Sequence, residues 1–289
     1  MEKFELSAKQ IKKIHTWLRA AIQLLYFIFL PSVYTAAFAG VKYIFTQLGA
    51  GQQVAMTSFV TILVVVCGYT FLFGRFFCGF ACAFGTLGDA VHALYRFIFK
   101  KLKKKPVLLP EKWTRRLDKL KYVVLALIAL LCYAGVYGKA KGTSPWDVFS
   151  MIHAGNFKLG GYLVGLALLL VILVGMCLEE RFFCRNLCPM GAVFSLLPVL
   201  PYFALHRSRE NCIKGCQACT RKCPSGIGLP EDDSIRVEGD CFQCQKCIDT
   251  CPKGNIHLGI KVLSGNEIWF TVFRAALLAA VLSFAGVCV

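Results

Sequence analysis

The sequence predicts an all-α membrane protein of about five transmembrane helices. Two repeated hairpins and a C-terminal span make up the helical part, and a small, cysteine-dense α+β module is inserted before the last span. Three observations predict this arrangement: long apolar segments with basic flanks, a duplicated Arg-Phe-Phe-Cys motif at two segment ends, and a run of cysteines between the fourth and fifth segments. Of the 289 residues, 57% are hydrophobic and the mean hydropathy is +0.60, more apolar surface than a soluble domain can bury. Lys and Arg outnumber Asp and Glu by 33 to 16. No nucleic-acid reader motif accompanies that excess, so it reads as the basic flanks of membrane spans, and nucleic acid is not an expected partner.

Crossing a hydrocarbon core of about 30 Å takes about 20 helical residues. Apolar segments of that order run from Ala20 to Phe45, Val54 to Phe77, Lys121 to Gly138, Gly160 to Leu178 and Ile268 to Val289. Pro31 predicts a kink inside the first, which membrane helices tolerate. The N-terminal arm carries Lys3, Lys9, Lys12, Lys13 and Arg19, and the connection from Arg96 to Lys119 is denser still in Lys and Arg. Both are expected on the inner side, with the lightly charged segments Gln47 to Gln53 and Lys139 to Leu159 outside. Met1 to Arg19 lacks the short apolar core of a cleavable signal. The expected location is therefore a bacterial or archaeal cytoplasmic membrane, multi-pass, with the N-terminus and the cysteine module on the cytoplasmic side. Expected domains are residues 1–206 (membrane helices), 207–262 (cysteine module) and 263–289 (C-terminal span).

Arg75-Phe76-Phe77-Cys78-x3-Cys82-x2-Gly85 recurs as Arg181-Phe182-Phe183-Cys184-x3-Cys188-x2-Gly191, each copy closing an even-numbered span. Such a match implies a parallel duplication of helical hairpins.

The module holds the strongest chemical signal. Cys241-x2-Cys244-x2-Cys247-x3-Cys251-Pro252 is the bacterial ferredoxin run, and Cys212-x3-Cys216-x2-Cys219-x3-Cys223-Pro224 is the same run with one residue inserted. Three close thiolates wrap three corners of a four-iron cube, and the fourth, before proline, leaves the turn and reaches the other cluster. This predicts a bacterial-type 2[4Fe–4S] ferredoxin module. Cys212, Cys216, Cys219 and Cys251 would hold one cluster; Cys241, Cys244, Cys247 and Cys223 would hold the second. Zinc, the competing occupant of paired Cys-x2-Cys motifs, takes four ligands in two pairs and leaves the two Cys-Pro runs unexplained.

Cys78, Cys82, Cys184 and Cys188 form a candidate further site. On a helix, Cys-x3-Cys would place both thiols on one face a turn apart, and the two copies would meet near the inner membrane boundary. A further iron–sulfur centre, another metal site, thiol chemistry and simple packing of small apolar side chains all remain open. Cys67, Cys132, Cys177 and Cys288 are single and read as packing residues. None of the five histidines falls mid-span, which removes a membrane-embedded bis-histidine haem. Asp89 and His92 share a helix face and read chiefly as surface polarity, with a proton relay near a quinone as the alternative. Trp146 reads as an interfacial anchor.

The repeated Phe-Cys-x3-Cys-x2-Gly followed by the double Cys-Pro run resembles the NapH/NosR-type membrane ferredoxins, often described as ferredoxin-type quinol dehydrogenases. Cys188 is followed by proline, as is usual in that family, whereas Cys82 is followed by Ala83. The resemblance implies an oxidoreductase component that moves electrons between iron–sulfur centres and quinone or another redox partner. The expected function is membrane-bound electron transfer between a cytoplasmic ferredoxin or flavoprotein donor and either the quinone pool or an extracytoplasmic redox subunit. The basic inner loop would steer an acidic donor. An assembly factor supplying electrons for metal-site maturation in another membrane enzyme is the alternative. No nucleotide fingerprint supports direct NADH oxidation.

Overall fold

Pro31 ends the first helix. Its ring and missing N–H cannot continue the ladder, and the residue before it is pushed out of the helical region. The single kinked span expected from Ala20 to Phe45 is instead two helices, α1 (Ala8–Phe29) and α2 (Val33–Gly49), bent by 61°. The protein is represented by a computed structural model that describes residues 8–139, 142–200, 205–207, 212–213, 215–227, 239–258 and 267–286. After α2 come α3 (Ser58–Phe73), a π-helical turn (Phe77–Ala81), α4 (Ala83–Lys101), α5 (Glu111–Leu117) and α6 (Leu120–Tyr133). A 3₁₀ turn (Tyr137–Lys139), α7 (Pro145–His153), α8 (Leu163–Leu178), a second π turn (Phe183–Leu187) and α9 (Pro189–Leu196) complete the helical body.

The duplication is larger than a hairpin. With Arg75 and Arg181 taken as equivalent, α1 falls on α6, α2 on α7, α3 on α8 and α4 on α9. Packing follows the same rule: α2 lies on α3 as α7 lies on α8, and α1 meets the first π turn as α6 meets the second. Only the cysteine motif kept the duplication visible in sequence. The two units join where α4 packs on α8 and α2 on α6.

Among the described residues no single helix is long and apolar enough to cross a membrane; the bent pair α1–α2 meets that test only when taken together. Helices α3, α6 and α8 have 16, 14 and 16 residues, spanning about 24, 21 and 24 Å at 1.5 Å per residue. The other ends of the expected spans run into turns or extended chain, and Cys288 lies outside the described residues.

Aromatic side chains fill the centre of the helical body. Tyr34, Phe38, Phe76, Phe77, Phe80, Phe84, Phe183 and Phe194 are buried around the π turns. Trp146 belongs to this core, 5.2 Å from the Phe38 ring centroid, so the anchor reading is corrected. The module contributes β1 (Leu205–Arg207), α10 (Ala218–Arg221), α11 (Lys246–Thr250) and β2 (Ile256–Leu258), followed by α12 (Glu267–Phe284). Strands β1 and β2 pair antiparallel with Leu205 opposite Leu258 and Arg207 opposite Ile256. They close a small core of Leu205, Cys219 and Ile256, against which Cys241, Cys247, Cys251 and Phe270 of α12 pack.

Candidate functional site

The repeated cysteine motif is a local fold in itself. In each copy the chain leaves its helix through one widened turn. Cys82 donates its N–H to the Phe77 carbonyl and Cys188 to the Phe183 carbonyl, both at 2.9 Å, the i-to-i+5 bond of a π turn. The two cysteines of a pair therefore do not share one α-helical face, as their spacing suggested. Cys78 and Cys184 lie inside the π turns, while Cys82 and Cys188 are extended N-cap residues of α4 and α9 (φ −71°, ψ 122° and φ −72°, ψ 114°). Three residues on, Gly191 donates its N–H to Cys188 Sγ at 3.1 Å, whereas the Cys82 side chain makes no such cap bond. A Cβ at Gly85 would stand 2.8 Å from the Cys78 carbonyl oxygen, and one at Gly191 would stand 3.0 Å from that of Cys184. The glycine is thus required by the cysteine seven residues before it. Ala83 and Pro189 both follow a cysteine of extended backbone, so the missing proline leaves the turn of the first motif in place.

All four of these cysteines are buried. They are mutual electrostatic neighbours: Cys184 feels Cys82, Cys188 and Cys78, and Cys82 feels Cys78 and Cys188. Burial, reinforced by the adjacent sulfurs, pushes the Cys82 and Cys184 thiols up strongly, and that of Cys188 up to about 11. Crowded anionic ligands of this kind shed their protons to a bound cation. Among the described residues no group of three or more His, Cys, Asp or Glu side chains could hold a single metal ion. A four-iron cube presents a separate iron to each thiolate, so its ligands need not converge on one point.

In the module, Cys223 lies beside the second run. Its thiol is raised to about 11 by burial and by Cys244, while Cys241 and Cys247 both feel Cys223. The loop from Cys241 to Lys246 places Gln243 and Gln245 in the left-handed region (φ 52° and 61°). These two residues, one on each side of Cys244, turn the chain sharply there, a strained arrangement of the kind found at ligand clamps. In the other run, Arg207 reaches Cys219 Sγ at 3.6 Å and Asn255 N–H reaches Cys251 Sγ at 3.4 Å. The inserted residue is taken up in a turn where Gly215 has φ +73° and Cys216 N–H donates to the Ile213 carbonyl. Cys212 and Cys216 are partly buried.

The second run is seated on the first repeat. A Cβ at Gly79, inside the π turn, would collide with the Phe242 carbonyl oxygen, and the Cys244 amide is close by. Arg75 and Arg181 lie over the Phe242 ring, at 4.7 and 5.4 Å from its centroid. Arg181 binds Asp89 through Nε (3.0 Å) and Nη2 (2.6 Å) and donates to the Gly79 and Cys78 carbonyls. Arg75 donates to Asp240 at 3.1 Å and Ser195 at 3.3 Å. Lys246 pairs with Asp89 and Glu180, and Asp249 with His15 (3.0 Å) and Arg19 (2.7 Å). Asp89 and His92 therefore face inward: Asp89 is an ion-pair hub and His92 Nδ1 lies 3.1 Å from the Cys177 carbonyl, which corrects their reading as surface polarity. Cys67 and Cys177 are partly buried and Cys132 is buried in α6.

Sequence reasoning missed the roles of Arg75, Arg181, Asp240 and Arg274. The signal was present, since an ionisable residue inside an apolar stretch is functional by default. Nε and Nη2 of Arg75 and all three guanidinium nitrogens of Arg274 are buried with no protein acceptor among the described residues. Orphaned donors beside sulfur ligands fit an anionic, sulfur-rich group such as a cluster.

Fold and site together define an iron–sulfur protein with a duplicated helical body. Residues 55–106 and 162–201 match the 4Fe–4S binding domain family, a match that covers both copies of the repeated cysteine motif. The chain is 33% identical over 204 residues to the uncharacterised protein MJ0749 of Methanocaldococcus jannaschii, covering 71% of each chain. It is 30% identical over 230 residues to MJ0750 of the same organism, covering 79% of this chain and 88% of that one. With the putative electron transport protein YccM of Escherichia coli it shares 29% over 210 residues, 71% of this chain and 56% of that one. Ferredoxin-type protein NapH and regulatory protein NosR are also among its relatives. No solved structure matches it. The chain belongs to the ferredoxin-type 4Fe–4S electron-transport family, and electron transfer through iron–sulfur centres is its general role.

Proposed function

We propose that this protein is a membrane-bound electron carrier between a cytoplasmic ferredoxin or flavoprotein donor and the quinone pool or an extracytoplasmic redox partner. In this reading Cys212, Cys216, Cys219 and Cys251 hold one [4Fe–4S] cluster, and Cys241, Cys244, Cys247 and Cys223 hold the second. Cys78, Cys82, Cys184 and Cys188 hold a further iron–sulfur centre at the membrane boundary. Bound clusters supply one-electron carriers; the chain's part is to hold them close together and away from water. One observation carries the proposal: the Cys241–Cys244 loop rests on the π turn between Cys78 and Cys82, with both repeat arginines over the ring of its Phe242. That contact brings module and repeat cysteines into one continuous body.

Support for a membrane setting comes from the outer faces of the helices. Leu163, Leu168, Val171 and Val174 of α8 are 45–70% exposed, and Val123, Leu127 and Leu130 of α6 and Trp269 and Phe273 of α12 are exposed as well. So much apolar surface is costly in water and suits lipid. The basic residues from Arg96 to Lys105 are largely exposed and would attract an acidic donor; raising salt should then slow reduction by that donor.

Iron and acid-labile sulfide, counted on anaerobically purified wild type and a Cys78→Ser/Cys184→Ser variant, test the cluster assignment. More than about eight irons in the wild type, falling to about eight in the variant, is expected. About eight in both would confine the clusters to the ferredoxin module and leave the repeat cysteines without one.

A further inference from the structure

Among the described residues three arginines are wholly buried: Arg75, Arg181 and Arg274. They differ in what they bind. Arg181 is saturated by a carboxylate and two carbonyls, and Arg75 has a carboxylate and a hydroxyl. Arg274, in α12, has no hydrogen-bond acceptor for any of its three guanidinium nitrogens among the described residues. It lies between the faces of Phe76 and Phe270, at 4.4 and 4.8 Å from their centroids. Ring faces attract a cation but replace neither its water nor its hydrogen bonds. A buried guanidinium left in that state needs an anion.

The surroundings indicate where that anion sits. Phe270, Thr271 and Arg274 share one side of α12, the side that meets the module. Phe270 packs against the module core of Leu205, Cys219 and Ile256, on which Cys241, Cys247 and Cys251 also pack. Thr271 and the Gln245 amide exchange hydrogen bonds at 2.8 and 3.1 Å. The thiolate position of Cys241 is within electrostatic reach of the Arg274 guanidinium. The backbone beneath is fixed, since Tyr69 and Tyr26 donate their hydroxyls to the Arg274 and Ala275 carbonyls at 2.8 and 2.6 Å.

We propose that Arg274 is a positioning residue for the cluster held by Cys241, Cys244, Cys247 and Cys223, donating its free N–H groups to the sulfur-rich face of that cluster and holding its reduction potential up. The proposal rests on the reading that those four cysteines hold a cluster. Four thiolates make the site anionic, and one-electron reduction adds a further negative charge, so a buried cation beside it stabilises the reduced form more than the oxidised one. Helix α12 is then part of the cofactor site as well as a span.

The test is an anaerobic redox titration of the full chain in detergent, with dithionite as reductant and electron paramagnetic resonance as readout. The signal absent from a Cys247→Ser variant identifies the cluster concerned; no signal lost in that variant would refute the underlying ligand assignment, separately from the role of Arg274. In Arg274→Gln, the reduced-to-oxidised ratio at the wild-type midpoint should fall about tenfold, a shift of ~59 mV to lower potential, with the other module cluster unmoved. An unmoved midpoint at full iron content, or an equal shift of both clusters, would overturn the proposal. Arg274→Lys keeps the charge but loses the planar fork, and it decides the matter if Arg274→Gln does not accumulate. A midpoint lowered by a smaller factor supports the role, and a wild-type midpoint refutes it.

Discussion

Arg75 and Arg181 hold the same place in the two repeat copies, yet their charges are balanced differently. Arg181 of the second copy crosses to Asp89 on α4 of the first. The equivalent position on α9 is Ser195, and Arg75 crosses to it in the same way, at 3.3 Å, but finds a hydroxyl in place of a carboxylate. The missing charge comes from Asp240, which precedes Cys241 in the module and also pairs with Lys121. One half of the duplicated body is therefore electrostatically complete, and the other is completed by the module. Docking of the module is thus tied to the asymmetry of the repeat, through the residue next to Cys241.

Removing Arg181 should do the most damage. Arg181→Gln would leave Asp89 buried with only Lys246 as a counter-charge and would free the Cys78 and Gly79 carbonyls. A loss of about 3–5 kcal/mol is expected, read as a collapse of the melting temperature in detergent. Asp240→Asn should cost less, about 1–3 kcal/mol, because Arg75 keeps Ser195 and the Phe242 ring. The comparison itself is tested by Asp240→Asn combined with Ser195→Asp, which restores to the second copy the carboxylate that the first copy has. At least half of the lost stability should return; no recovery would show that the two arginine sites are not equivalent. Acid should weaken the same contacts. Burial alone would raise the Asp89 pKa, but Arg181 and Lys246 hold it well below the usual carboxylate range. Its stabilising contribution is thus complete above the unfolded pKa of about 3.9 and is lost as pH falls through the lower folded value. Unfolding followed from pH 7 down to pH 3 should show stability level at first and falling below about pH 4.

Much of this site was legible in the chain because ligand spacing is a covalent constraint. The two Cys-Pro runs and the duplicated Cys-x3-Cys-x2-Gly could be read directly from the chain. What could not be read depends on partners far away in sequence. Asp89 looked like surface polarity because its partners are Arg181 and Lys246, and Trp146 looked like an anchor because Phe38 and Phe183 cover it. The full extent of the duplication was hidden because helix packing tolerates substitution between copies, whereas the cysteine turn does not. The π turns were missed because the spacing of four also fits a regular helix.

Glycine and proline at the motif sharpen the comparison at smaller cost. Gly85→Ala places a methyl 2.8 Å from the Cys78 carbonyl oxygen, and Gly191→Ala places one 3.0 Å from that of Cys184 and 2.9 Å from Arg75 Nη2. Each should cost about 1–3 kcal/mol and loosen its cysteine pair, whereas Gly68→Ala, with nothing within 4 Å, should stabilise α3 by about 0.4–1 kcal/mol. The smallest effect is expected from Ala83→Pro, which gives the first copy the residue of the second. Cys82 already has the extended backbone that a following proline demands. An N–H at the first helical position has no helical partner to lose. Stability should therefore stay within about 1 kcal/mol of wild type, with iron content unchanged. A large loss would mean that the two turns, alike in their cap backbone and π-turn bonds, carry different loads.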